Sequence, residues 1–233
     1  MQPQGSPSVF SKRIGEVNKK LERARRIPGS EAWFGVSTHQ FRLRPPIAES
    51  ELCAFERHHH VILPDDYRQF LLLAGDGGAG PYYGISPLSA WDQWFEEEGE
   101  EPNFLASPCP LVDAGPARQA WHAAKERDER RARGIVNVGA SPSQAWKAFL
   151  PDDWSEWGKG TIYVCDQGCT YSARLIVSGE ARGRVVYLDA QGWYPPYFVR
   201  DRSFMDWYER WLDGAAAGKP IDYFGFDNPA YAP

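Results

Sequence analysis

The stretch from 161 to 213 constrains the fold more than any other part of the chain. Three short apolar runs, 161–165, 172–177 and 185–188, are separated by turn-forming residues: Asp166-Gln167-Gly168 after the first, and 179–183, which begins and ends in glycine, after the second. Strand-like runs joined by so few residues pair antiparallel, because parallel neighbours need a crossover of about a dozen residues or more. A helix is expected next, over 203–213. Phe204, Trp207, Tyr208, Trp211 and Leu212 recur at i, i+3, i+4, i+7 and i+8, the stripe of a helix laid on a sheet. Ser203 with Asp206 resembles a capping box, and Gly214 is placed to end the helix.

Helices come before this meander. Over 10–27, Phe10, Ile14, Val17, Leu21 and Ala24 form one stripe, with Lys12, Lys19, Lys20, Arg23 and Arg26 mostly away from it. An anion-binding helix is one reading of those cations, and a solvated face is the simpler one. A second helix is expected over 47–60, where Ala48, Leu52, Phe55 and His59 share a side. The third is specified residue by residue. Pro64 suits a first helical position, where its missing N–H costs nothing. Asp65 and Asp66 suit the positive end of the helix dipole. Tyr67, Phe70, Leu71 and Ala74 face one way, and Gly75 can take the left-handed terminating conformation. Residues 77–88 read as a Gly-rich loop feeding a strand at 82–85. Residues 89–133 read as an insertion with its own helix over 116–133, and 135–138 as a further β-branched run. The expected architecture is α+β, an antiparallel sheet flanked by helices on one face or end. It comprises a single domain over 10–214, an N-terminal helical extension, a disordered 1–9 and an irregular tail over 215–233.

A chain of 233 residues buries roughly 70% of its unfolded surface on folding, so it needs no disulfide or metal to be stable. Cys53, Cys109, Cys165 and Cys169 are too scattered for a secreted disulfide scaffold. No run approaches the roughly 20 apolar residues of a membrane span, and the polar, basic N-terminus lacks the apolar core of a secretory signal. The expectation is a cytoplasmic protein with reduced thiols and no membrane partner. Charge is unevenly spread. Residues 1–45 carry 9 Lys+Arg against 3 acids, whereas 46–113 carry 2 Arg against 13 Asp+Glu. That distribution gives no uniform basic footprint for nucleic acid, and an acidic middle suits a basic partner.

Leu63-Pro64-Asp65-Asp66-Tyr67, then Phe70-Leu71, Gly75, Gly77-Gly78, Gly80-Pro81, Gly84-Ile85 and Pro87-Leu88 resemble the SUKH superfamily, the Smi/Knr-type family of bacterial immunity proteins and fungal cell-wall regulators. The stretch from Gly160 through Gly168 and Cys169, Leu175-Ile176-Val177-Ser178-Gly179, Gly183-Arg184-Val185-Val186-Tyr187 and Ser203-Phe204…Trp207…Trp211-Leu212 resembles the second half of that family. The likeness covers roughly 45–90 and 134–214 in the family's order. The basic first helix, the 89–133 insertion and the tail depart from it. The resemblance implies a helix-flanked antiparallel sheet without catalytic apparatus, acting as an immunity protein that binds and neutralises a cognate toxin domain in the cytosol; such toxins are often nucleases. It assigns Leu63, Pro64, Tyr67, Phe70, Leu71, Gly75, Gly84, Gly168, Leu175, Phe204, Trp207 and Trp211 to structure. The alternative is a regulatory scaffold that binds a cellular enzyme or signalling protein, as the fungal members do.

Catalytic and metal-binding patterns are weak. Successive side chains in His58-His59-His60 point about 100° apart on a helix and do not converge on one ion. Cys165 and Cys169 are not a Cys-x-x-Cys pair. The run Gly75-Asp76-Gly77-Gly78-Ala79-Gly80 follows a helix and precedes a strand, the reverse of a phosphate loop. Asp65-Asp66 and Asp152-Asp153 are neighbours in sequence only, and no Gly-x-Ser-x-Gly elbow occurs. The expectation is no enzyme, no cofactor and no metal. Two surfaces are candidates for a protein partner. Asp92, Trp94, Glu96, Glu97, Glu98, Glu100 and Glu101 set aromatics within dense negative charge, with a solvated acidic loop as the simpler reading. Trp154, Trp157, Trp193, Tyr194 and Tyr197, with Pro195 and Pro196 between, form either sheet-edge core or a contact face.

Overall fold

The computed structural model describes residues 7–91, 104–132, 141–150, 154–220 and 223–226. The meander forms as the turn spacing demands. Strands β1 (Thr161–Gly168), β2 (Tyr171–Ile176), β3 (Val185–Asp189) and β4 (Tyr197–Phe198) make one sheet in the order β1-β2-β3-β4, every neighbour antiparallel. The β1–β2 register slips between Tyr163 and Cys165 and again between Asp166 and Gly168. Such irregularities bend and twist a strand. β4 is a two-residue strand the sequence did not announce, and 135–138 lies outside the described residues.

The sheet is buried on both faces. Leu175, Val185, Tyr187 and Tyr197 belong to one apolar cluster. Ile176, Val186 and Leu188 belong to another, with Phe198 packed against it. Alternate residues of a strand point to opposite faces, so each cluster is one side of the sheet. All five residues of β3 are consequently buried. The α+β class stands, and the expectation of helices on one face or end is corrected: both faces are covered.

The first face is covered by α1 (Pro7–Arg25), α3 (Glu49–His58), α4 (Asp65–Leu73) and α7 (Phe204–Ala216). Ile14, Val17, Leu21 and Ala24 of α1 are buried, so this helix is part of the core rather than an appendage. Its cations are partly absorbed too. Arg13 donates to both carboxylate oxygens of Glu209, at 2.9 and 2.8 Å, and to Asp206 at 2.8 Å, while Lys20 pairs with Asp213. The second face is covered by α5 (Gly115–Ala132) and by Trp146 and Trp157, with the short α6 (Pro142–Ala145) packed on α5. The predicted insertion thus supplies the back layer of the sheet, through Leu111, Ala117 and Trp121.

Several boundaries differ from the sequence reading. α1 begins at Pro7, so 7–9 is helical rather than disordered. α7 runs through Gly214 to Ala216, and Gly218, at φ 71°, takes the left-handed position after it. Ser203 caps α7 as expected, accepting from the Asp206 N–H at 3.2 Å. Gly75 does not adopt the left-handed conformation, and α4 passes into a right-handed Ala74 instead. Glycine is needed at 75 because a Cβ there would sit 2.4 Å from the Arg44 carbonyl oxygen. Residues 82–85 are not a strand: Tyr82 has φ 50°, and Ile85 makes isolated bridges to Gly78 and Cys165.

Candidate functional site

The residues carrying the family resemblance meet in the first core. Leu63, Tyr67, Phe70, Leu71, Leu175, Phe204 and Trp207 are each at most 1% exposed. Phe204 stands edge-on to Tyr67 and Phe70, with centroids 4.7 and 5.2 Å apart. Asp66 does more than favour its own helix, because its carboxylate accepts the Met205 N–H at 2.8 Å and so caps the first turn of α7. Burial raises the Asp66 pKa, opposed by the Met205, Ser203 and Tyr67 hydrogen bonds. Gly84 has φ 99°, and a Cβ on it would meet the Gly78 oxygen at 2.3 Å. Gly168 has φ 90° and faces the Tyr83 ring.

The other sequence candidates fare differently. Asp92, Trp94, Glu96, Glu97, Glu98, Glu100 and Glu101 all lie outside the described residues. The second aromatic group is divided: Trp157 and Tyr197 are buried, Tyr194 packs on the back cluster, and Trp193 is 58% exposed. Of the three histidines, His59 is buried against Phe55 and His58. Among the described residues no group of three or more His, Cys, Asp or Glu is placed to hold a metal. Cys165 is buried with its thiol directed at the Pro81 carbonyl, and burial pushes its pKa up. Among the described helices none is long and apolar enough to cross a membrane.

One recess was not anticipated. A cavity of about 450 Å³ lies where the 33–41 turn, the 80–82 loop, the β1–β2 turn, α7, Pro220 and residues 223–226 come together. Trp33, Phe41, Tyr82, Trp211, Phe224 and Phe226 give it aromatic walls, and Phe34 and Tyr223, 63% and 52% exposed, stand among its lining. Trp211 stacks on Phe41 and meets the His39 ring edge-on. Three polar side chains line it as well: His39, Gln167 and Tyr171. His39 sits in α2 (Val36–His39) and is 93% buried, being only 7% exposed. Its Nδ1 accepts the Phe41 N–H at 3.0 Å. Burial pushes its pKa down to about 4. The Gly80 carbonyl opposes that shift without offering Nε2 a satisfactory acceptor geometry. At neutral pH the ring is therefore uncharged, with its proton on Nε2. His39 Nε2 and Gln167 Nε2 are buried without a hydrogen-bond partner among the described residues, whereas the Tyr171 hydroxyl is engaged with Tyr194.

Tyr82 adds no free hydroxyl, since it donates to the Phe224 carbonyl at 2.8 Å. Among the described residues the lining contains no carboxylate, thiol, amine or serine hydroxyl. What the recess can do is hold something flat and offer it donors. No single stretch of sequence could have revealed it, because its walls come from five separated segments. A second, more open groove of about 640 Å³ runs between 44–47 and α3. Its Asp76, with a pKa raised by burial, accepts the Leu88 N–H at 2.7 Å and so fixes the loop.

A scan against protein-family models, a search of curated proteins and a search of solved structures each found no match to this chain.

Proposed function

We propose that this chain is a SUKH-type immunity protein: a binding protein, not a catalyst, that docks on a cognate protein toxin in the cytosol and neutralises it by occlusion. The observation that carries the reading is the Asp66–Met205 cap. It joins the first half of the family-like pattern to the second across 139 residues, and the aromatic side chains of both halves close around it. Residues that resemble one family in two separate stretches are here one packed unit, which supports treating the resemblance as a single domain.

The charge division supports the kind of partner. The segment 46–113, with 2 Arg against 13 acids, suits a basic toxin surface, and its acidic run at 96–101 would mimic nucleic-acid charge before a nuclease. Such a run steers the encounter and Trp94 anchors it. The direct test is co-purification from the native host, followed by toxicity rescue with the recovered partner. Rescue by this chain is the expected outcome, and a recovered partner without toxicity would favour the scaffold alternative. Within that assay, replacing Glu96, Glu97 and Glu98 together by Lys slows association at least tenfold and flattens its salt dependence. Unchanged association kinetics would remove the acidic run from the interface.

A further inference from the structure

We infer that the aromatic recess between α2, α7 and the end of β1 is a binding site for a neutral, planar aromatic small molecule bearing hydrogen-bond acceptors. This goes beyond toxin binding and does not depend on it.

Volume comes first. About 450 Å³ lies within the range of roughly 300–1,000 Å³ typical of small-molecule sites. The walls come second. Trp33, Phe41, Tyr82 and Trp211 present ring faces and edges, which pair best with another flat ring. The polar complement comes third and fixes the class. A buried polar group without a partner is costly, and native structures rarely tolerate several in one place. His39 and Gln167 are both nine-tenths buried, and Nε2 of each lacks an acceptor among the described residues. The His39 proton lies on Nε2, because Nδ1 is committed to the Phe41 N–H. Gln167 Nε2 is a second donor. Donors within an aromatic box call for a ligand that supplies acceptors.

That requirement separates the possible occupants. A tryptophan anchor from a partner protein brings an N–H donor and no acceptor. A phenylalanine brings neither. An organic cation would face an uncharged imidazole and donors. A planar lactone, ketone or donor-poor heterocycle satisfies both the walls and the polar ends.

The test uses the full-length protein and coumarin, a flat bicyclic lactone with acceptors and no donors, titrated by calorimetry beside naphthalene and N-acetyltryptophanamide. Coumarin is expected to bind at least tenfold more tightly than either comparison compound. Gln167→Met removes a donor while filling the space and is expected to weaken coumarin about tenfold, leaving naphthalene unchanged. His39→Phe should do the same. Because it also deletes the acceptor for the Phe41 N–H, Gln167→Met is the variant that decides should His39→Phe fail to fold.

Four results would overturn the inference. Equal affinity for coumarin and naphthalene would make the recess merely apolar. No saturation with any probe below millimolar concentration would leave it to water. Tighter binding of N-acetyltryptophanamide would make it a socket for a protein side chain. Binding seen only after residues 227–233 are removed would make the chain's own tail the occupant.

Discussion

On one face of the sheet, α7 is fastened by a chain of directed polar contacts. Trp207 Nε1 donates to the Tyr187 hydroxyl at 2.9 Å, Tyr187 donates to the Phe224 carbonyl at 2.9 Å, and Tyr208 donates to the Ala79 carbonyl at 3.0 Å. On the other face, α5 meets the sheet region through ring and cation–ring contacts. Trp121 lies 5.5 Å from Tyr194, and the Arg118 guanidinium reaches the ring of Tyr197, a residue of the first-face cluster, at 3.9 Å from its centroid. Trp146 behind them is fully buried with its indole N–H unsatisfied. Directed bonds fix one arrangement, whereas stacked rings allow several of similar energy. The front helix α7 is therefore the more tightly oriented, and α5 is the helix expected to loosen first.

The sharpest way to break this contrast is a pair of truncations. Trp207→Ala should cost about 4 kcal/mol and lower the midpoint of the whole unfolding transition. Trp121→Ala should instead raise amide hydrogen exchange in α5 while β2 and β3 keep their protection. Equal loss of protection in both layers after either change would erase the distinction.

The next effect belongs to His39 on the front face. Its folded pKa of about 4 lies below the ordinary 6.5. The unfolded chain therefore takes up the proton first as pH falls. Stability should be fully present above 6.5 and decline towards pH 4, by on the order of 3 kcal/mol in all. Denaturant titrations between pH 4 and 7 measure the slope, and His39→Phe should flatten it.

Asp66 tests the tie between α4 and α7. Asp66→Ala should cost about 1–2 kcal/mol, the usual value of a lost cap, read from the shift in denaturation midpoint. Because burial raises this carboxyl's pKa, its own contribution should weaken as pH rises through that range, opposite in sign to His39. Smallest is Arg13→Met. The Arg13–Glu209 pair is about one quarter exposed on each side, so its loss should cost no more than about 1 kcal/mol and less in high salt.

What the sequence disclosed follows from how far each signal reaches along the chain. The α7 stripe and the three long strands were legible because period and turn spacing are local. α1 was legible as a helix, but its place in the core was not, since nothing in its own residues names Glu209 and Asp213 as its counter-charges. Gly75 and Gly214 were misread for a related reason. A glycine needed for close approach to Arg44, or one carried inside a helix, looks the same in sequence as one that ends it. β4 is too short to show a period. α5 was found as a helix, yet its role as the back cover depends on odd and even positions of β2 and β3 both being apolar. The recess was illegible altogether, because His39 and Gln167 acquire their shared environment only after the sheet and α7 have met.

The glycine loop of 77–86 has a further consequence. Its Tyr83 and Ser86 N–H groups bond to the Asp166 and Val164 carbonyls of β1, at 3.3 and 3.0 Å. A row of backbone acceptors along a border strand would otherwise recruit strands from neighbouring molecules. The loop occupies that row with a segment too kinked, at Gly77, Gly78, Tyr82 and Gly84, to extend the ladder any further. The loop thus shields this border of the sheet from pairing with strands of other molecules.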